Sequence, residues 1–262
     1  MTKKKLDRAI VIPDTQVRKG VPLDHLTAAG NYIVDKKPDI VVMLGDFADF
    51  PSISNYNSPT EQENMRLLDD IEYAKKGMET LLKPILDYNK RRRQNKKKLY
   101  TPRMVMLMGN HEHRVARFVE NHPVLWGILD TNDPVGYADY GWELVPFEHI
   151  ININGVRFCH YFRNPQSLKG GILGGTMDNK LNKLGWSFIM GHQQHLQYGI
   201  QHLSDGTVRQ GIVAGAFYMH DEKYMGPQKN DHWRGIIVLN EMHDGKYDPC
   251  FVSLRYLLEH WV

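Results

Sequence analysis

Residues Gly109-Asn110-His111-Glu112-His113-Arg114 place an amide, two imidazoles, a carboxylate and a guanidinium directly after the apolar run Met104 to Met108. A hydrophobic core has no use for that mixture, so chemistry is the better reason for it. The arrangement recurs along the chain. Arg8 to Ile12 stops at Pro13-Asp14-Thr15-Gln16, Asp39 to Leu44 at Gly45-Asp46-Phe47-Ala48-Asp49, and Trp186 to Met190 at Gly191-His192-Gln193-Gln194-His195. A fifth apolar segment, within Ile150 to Phe162, leads into Cys159-His160. One such ending is explained by the turn and helix-cap preferences of Asp and Asn. Five together point to a shared site, because open α/β sheets bind ligands beyond the carboxyl ends of their strands.

Carboxylate, amide and imidazole donors without thiolates suit Mn²⁺, Mg²⁺, Zn²⁺ or Fe. A carboxylate that bridges allows two metals side by side, a pair that lowers the pKa of a water and holds a phosphate ester for in-line attack. His111 follows Asn110 but points elsewhere, which fits a proton donor to the leaving oxygen or a stabiliser of developing charge.

The order of these motifs resembles the calcineurin-like metallophosphoesterase family, whose pattern is D-x-H, G-D-x-x-D, G-N-H-[ED], a lone His, and G-H-x-H. They stand here as Asp14-Thr15-Gln16, Gly45 to Asp49, Gly109 to Glu112, His160, and Gly191 to Gln194. The resemblance spans about Asp14 to His195. It implies a four-layer α/β/β/α sandwich of two mixed sheets flanked by helices, with a binuclear metal centre. By that resemblance Asp46 bridges the metals, Asn110, His160 and His192 complete one site, and Asp14 with Gln16 belong to the other. His111 acts near the leaving group with Asp49 in support. Arg114 is a candidate phosphate contact, or else an ion-pair partner of Glu112 or another carboxylate.

Two departures fall on the same metal. Gln16 stands where the family has the histidine of its first motif, and a gapless reading puts Gln194 at the second histidine of the last. Both replace an imidazole by a neutral amide oxygen, which makes the site harder and weaker and favours Mn²⁺ or Mg²⁺ over Zn²⁺ or Fe³⁺. A local bulge would bring His195 in instead. In a regular strand end His192 and Gln194 share a face, so Gln194 is preferred.

The elements that must position these residues follow from hydrophobic periodicity. Arg8 to Ile12, Asp39 to Leu44, Met104 to Met108 and Trp186 to Met190 read as buried strands, with Leu23 to Val34 as a crossover helix between the first two. Ile150 to Phe162, interrupted by Asn154-Gly155, reads as a hairpin. Pro51 to Thr60 is a loop beside the strand ends. Glu61 to about Arg93 carries a helical stripe that Pro84 is expected to kink or break. A helix follows Arg114 to about Asn121, and Val208 to Ala216, Arg234 to Leu239 and Phe251 to Leu257 are read as strands of a second sheet. The chain is taken as one domain, 1–262, with 51–100 a helical, basic insertion.

Length and composition exclude other classes. With 262 residues, 42% hydrophobic and 24% charged, the chain can bury a core and is neither disordered nor fibrous. No apolar run approaches the roughly 20 residues of a membrane helix, so a cytoplasmic protein is expected. Cys159 and Cys250 match no thiolate metal spacing and are expected as buried, reduced thiols. The net charge of +3 is mild, yet Lys90 to Lys98 (KRRRQNKKK) gathers seven of the 33 basic residues. That run tilts the reading toward a phosphodiesterase or nuclease acting on DNA or RNA, with Phe50, Tyr56 and Tyr100 as candidates for stacking on bases. A phosphomonoesterase acting on proteins or small molecules is the second reading, and a non-catalytic scaffold that has lost a metal the third.

Overall fold

The computed structural model of the chain describes residues 6–222 and 231–262. Strand β1 (Asp7–Ile12) lies near the middle of a six-stranded sheet and pairs in parallel with β2 (Ile40–Met43). Outward from β2 come β3 (Arg103–Leu107) and β4 (Glu143–Val145), both parallel, and on the other flank β10 (Gly235–His243) and β11 (Lys246–Ser253) run antiparallel. A second sheet has the order β5 (Ile151–Ile153), β6 (Val156–Cys159), β7 (Phe188–Met190), β9 (Val208–Ala214), β8 (Leu196–His202), with β6, β7 and β9 parallel.

Strand alternation explains the layering. Ile10 and Ile12 of β1 face a helical layer of α1 (Asp24–Lys36), α3 (Leu67–Gln94) and α6 (Leu254–Trp261), while Ala9 and Val11 face the second sheet. Val42, Val105 and Leu107 pack there against Val156, Phe158, Ile189 and Ile212, closing the two sheets face to face. The outer face of the second sheet is covered by α5 (Met177–Leu184), whose Met177, Leu181 and Leu184 meet Phe188 and Val213. The result is the α/β/β/α sandwich. The carboxyl ends of β1, β2, β3, β6 and β7 all open toward one edge.

Several expectations need correction. The segment Arg234 to Leu239, expected in the second sheet, enters β10 at Gly235, and Phe251 lies in β11; both strands lie on the flank of β1 in the first sheet. Of the three segments expected in the second sheet, only Val208 to Ala214 joins it. Of the kink or break expected at Pro84, the break does not occur: α3 runs on through it, because Ala74, Met78, Leu81 and Ile85 give it a continuous apolar face on α1, which outweighs the ~3 kcal/mol an internal proline costs. Gly30 of α1 meets α3 at that point, where an added Cβ would strike the Leu81 carbonyl and the Pro84 ring. The segment Phe251 to Leu257 is divided between β11 and α6: Ser253 accepts the Tyr256 N–H as an N-cap at 3.3 Å, and Leu254 and Leu257 share one buried face. β8 escapes the sequence reading because it is an edge strand with alternate residues exposed. Cys159 is buried but Cys250 is exposed, and both are free thiols. Among the described residues, no helix is long and apolar enough to cross a membrane.

Residues 51–100 form a short helix α2 (Pro59–Gln62) and then α3, which descends from the edge where β2 ends to the edge where β3 begins. Its 28 residues span ~42 Å. The basic run Lys90 to Lys98 therefore sits at the end of the sandwich opposite the strand endings described above. Phe50 is fully buried and Tyr100 is tied by its hydroxyl to the Pro38 carbonyl at 2.8 Å, so neither offers a ring to a ligand.

Candidate metal centre

The strand ends that the sequence singles out converge. Asp14, after β1, is fully buried and accepts the backbone N–H of His192, after β7, at 3.1 Å on each carboxylate oxygen. That approach requires Gly191, since a Cβ there would lie 2.5 Å from Asp14 Oδ1. Asp46, after β2, receives the His111 N–H at 2.9 Å. Gly109 is needed beside it because any side chain would collide with the Asp46 carboxylate. The backbones of Gln16, Asp46, His192 and Gln194 are all left-handed, with φ of 43°, 51°, 65° and 56°. Non-glycine residues in that region are strained, and such strain gathers at functional sites.

Asn110 opens α4 (Asn110–Asn121) and its Oδ1 lies 2.9 Å from His160 Nε2 and 2.8 Å from His192 Nδ1. His160 Nδ1 donates to the Leu44 carbonyl at 2.7 Å, which leaves Nε2 of the neutral ring as a lone pair. That lone pair faces Asn110 Oδ1 and also Asp46 Oδ2, 3.2 Å away. Donor atoms of Asp46, His160 and His192 lie within 4.8 Å of one another. Converging acceptors of this kind call for positive charge, either a proton on His160 or a divalent cation. The titration behaviour agrees: burial opposes charging His160, but Asp46 pulls its pKa up to about 9. Burial pushes Asp14 up to about 7, and burial with the nearby His160 pushes His192 down to about 4. Asp46 remains ionised, because the attraction of His111 and His160 outweighs its burial.

The donor set fits a divalent ion at Asp46, Asn110, His160 and His192. A neighbouring set fits more weakly. Gln16 donates its backbone N–H to the Asp46 carbonyl at 2.9 Å, and both atoms of its buried side-chain amide have no hydrogen-bond partner. Gln194 is buried, accepts the Tyr218 hydroxyl at 3.0 Å, and lines the same cavity of about 330 Å³ as Asp46, Asn110, His111, Arg114 and His192. His195 is exposed, with its Nδ1 turned to the Gln193 carbonyl at 2.8 Å. The left-handed turn at Gln194 thus directs the amide, and not His195, toward the cavity.

His111 Nδ1 lies 3.1 Å from Asp49 Oδ1 and its Nε2 lies 3.7 Å from Asp46 Oδ2. Burial works against its charged form, yet Asp46 and Asp49 together raise its pKa. Arg114 Nη1 donates to the carbonyls of Asp49 (2.8 Å) and Phe50 (3.3 Å). It does not pair with Glu112, whose carboxylate is committed elsewhere; the carboxylate it reaches is that of Asp49, with Oδ1 4.0 Å from Nη1. Glu112 accepts the backbone N–H groups of Asp46, Gly109 and Ala48 at 2.9, 2.9 and 3.1 Å, and the Tyr137 hydroxyl at 3.3 Å.

Sequence reasoning missed this organising role of Glu112, and it missed Arg18. Arg18 Nη1 bridges Asp49 Oδ2 at 3.1 Å and Glu222 Oε1 at 3.2 Å, and Glu222 meets His220 Nε2 at 2.6 Å. For Glu112 a signal exists, a carboxylate three residues beyond a helix start as in a capping box. For Arg18 there is none, since its partner is remote in the chain.

The chain is 37% identical over 198 residues to the Gene 54 protein of Mycobacterium phage L5, covering 71% of this chain and 68% of that protein. Among solved structures, TT1561 of Thermus thermophilus aligns over 96% of this chain and 100% of its own with a TM-score of 0.37 and 8% identity, too distant to carry an argument. The sequence pattern of the calcineurin-like phosphoesterase family matches residues 8–218, and the chain belongs to that family.

Proposed function

We propose that this protein hydrolyses phosphodiesters with two divalent metal ions, Mn²⁺ foremost. The observation that carries the reading is the convergence of Asn110 Oδ1, His160 Nε2, His192 Nδ1 and the Asp46 carboxylate on one point. Those four residues would hold one ion. Asp14, Gln16 and Gln194 would hold the other, with Asp46 shared. Ions bound there supply the positive charge that activates a water and stabilises the phosphate oxygens.

The chain's own groups do the rest. His111, held toward Asp49, carries a proton at Nε2 for delivery to the leaving oxygen, and Asp49 fixes the ring's orientation from the other side. Arg114, anchored by one Nη on two carbonyls, keeps the remaining N–H groups of its fork for a phosphate oxygen. Arg18 and Glu222 hold Asp49 in place. Amide oxygens at Gln16 and Gln194 make the second position harder and weaker than an imidazole site, which supports Mn²⁺ or Mg²⁺ over Zn²⁺ or Fe.

The run Lys90 to Lys98 does not support a nucleic-acid substrate at this site, because α3 carries it to the opposite end of the molecule. The diester preference rests instead on the adjoining groove, which Arg114, Arg117 and several amides line without a carboxylate. A phosphomonoesterase would use the same metals, and side-by-side assay of mono- and diester substrates with Mn²⁺, Mg²⁺ and Zn²⁺ separates the two. A higher kcat/KM for the monoester would overturn the diester assignment.

A further inference from the structure

Outside the metal cluster, a groove of about 690 Å³ runs on from Asn110 and His192 along the exposed face of α4. One wall is helical: Asn110, Arg114, Arg117, Phe118 and Asn121 recur at the spacing of successive turns, over ~17 Å of axis. The opposite wall is the segment after β2, where Tyr56 is 86% exposed and Asn55 and Asn57 flank it. Among the described residues that line the groove there are two arginines, several amides and no aspartate or glutamate. In a chain with 30 acidic residues, that absence is a selective feature. Arg117 is exposed and makes no ion pair among the described residues, so its guanidinium is available to a ligand.

A single phosphate ester at the metal cluster leaves this groove unfilled. We propose that it is a binding site for single-stranded nucleic acid on one side of the scissile phosphate. This rests on the phosphodiesterase reading given above. Arg117 takes the phosphate next to the one at Arg114, a helical turn away, by charge-assisted hydrogen bonds. Tyr56 and Phe118 offer ring faces on which bases stack, and amides along both walls meet base edges without choosing a sequence. The Phe118 ring is already backed by His122, with centroids 4.3 Å apart, which fixes its orientation. Stacking on Tyr56 requires an unpaired base, so the ligand that uses both walls is a single strand and not a duplex.

The test uses the full-length protein and Arg117→Glu, a substitution at an exposed position. Binding of a fluorescein-labelled oligothymidylate is followed by anisotropy in EDTA as salt is raised, and turnover is followed with Mn²⁺ on oligonucleotides of two to eight residues and on bis(p-nitrophenyl) phosphate. Arg117→Glu should weaken oligonucleotide binding about tenfold or more and flatten the salt dependence by about one unit of slope. Tyr56→Ala should weaken it without changing that slope. KM should fall with oligonucleotide length in the wild type. Unchanged binding and KM in Arg117→Glu, equal affinity for duplex and single strand, or preferred turnover of a phosphopeptide would overturn the groove assignment. Failure of the wild type to hydrolyse the small diester while the EDTA binding results hold would overturn the catalytic reading and leave the groove standing.

Discussion

Glu112, on the helix after β3, accepts the backbone N–H of Asp46, in the turn after β2, at 2.9 Å. The same carboxylate also holds Gly109 and Ala48, so one buried side chain sets the relative positions of the Asp46 and Asn110 loops. Glu112→Ala should leave three buried N–H groups unsatisfied and lower stability by about 2–4 kcal/mol. Glu112→Gln, which keeps one oxygen, should lose less. Urea unfolding of the three proteins measures it, and equal midpoints would remove the organising role given to Glu112.

Tyr218 donates to Gln194 Oε1 at 3.0 Å, orienting an amide that would bear on the second ion. Tyr218→Phe should weaken binding of that ion about tenfold or more while leaving the first ion's affinity near the wild-type value. Isothermal titration of the stripped protein with Mn²⁺ should therefore show two unequal steps, with only the weaker one moved. Gln16→His with Gln194→His should strengthen the weaker step and shift its preference toward Zn²⁺. A single class of equal sites in the wild type would contradict the asymmetry.

His111 and Asp49 lie 3.1 Å apart and act as a pair. His111→Ala should lower kcat about 10²–10⁴-fold with metal binding retained. Asp49→Asn should give a smaller loss, and the double variant should be little worse than His111→Ala alone. Steady-state kinetics on a small diester decide this. Additive losses in the double variant would show that the two residues work separately.

His25, on α1, is buried with both ring nitrogens unpartnered, its edge against Phe217 at 5.3 Å. Burial pushes its pKa down to about 3, from 6.5 in the unfolded chain. Below pH 6.5 the unfolded chain takes up a proton that the folded protein refuses. Stability should then fall with pH, by about 2 kcal/mol from this residue between pH 6.5 and 5. His25→Leu should flatten that part of the profile. An unchanged slope in thermal melts across this range would sink the argument.

Much of the centre is legible in the chain because each ligand-type residue ends an apolar strand: Asp14, Asp46, Asn110, His160 and His192 carry their own local signal. What supports them carries little: capping-box spacing marks Glu112 as a helix cap but not its reach to Asp46, and Arg18 and Tyr218 have no local signal. Glu112 reaches Asp46 across 66 residues, Arg18 reaches Glu222 across 204, and Tyr218 orients Gln194 from 24 away. The charge run Lys90 to Lys98 is plain in the sequence, but its distance from the site follows only from the direction of α3. The choice of Gln194 over His195 depends on a left-handed turn that a regular strand does not contain, although the strand argument reaches the same residue. Arg117 is an ordinary surface arginine until the groove beside α4 is seen.

A dependence of phosphodiester hydrolysis on a metal held by Asp46, Asn110, His160 and His192 follows from the convergence of their donor atoms. It is tested most directly by titrating Mn²⁺ into chelator-stripped protein and following turnover of bis(p-nitrophenyl) phosphate, for the wild type and Asn110→Ala. The wild type should gain activity with Mn²⁺ and lose it again in EDTA, while Asn110→Ala should be slower by at least about 100-fold at matched metal, the scale of a lost charge-stabilising group. Turnover that survives chelation, or an Asn110→Ala titration that overlays the wild type, would contradict the account.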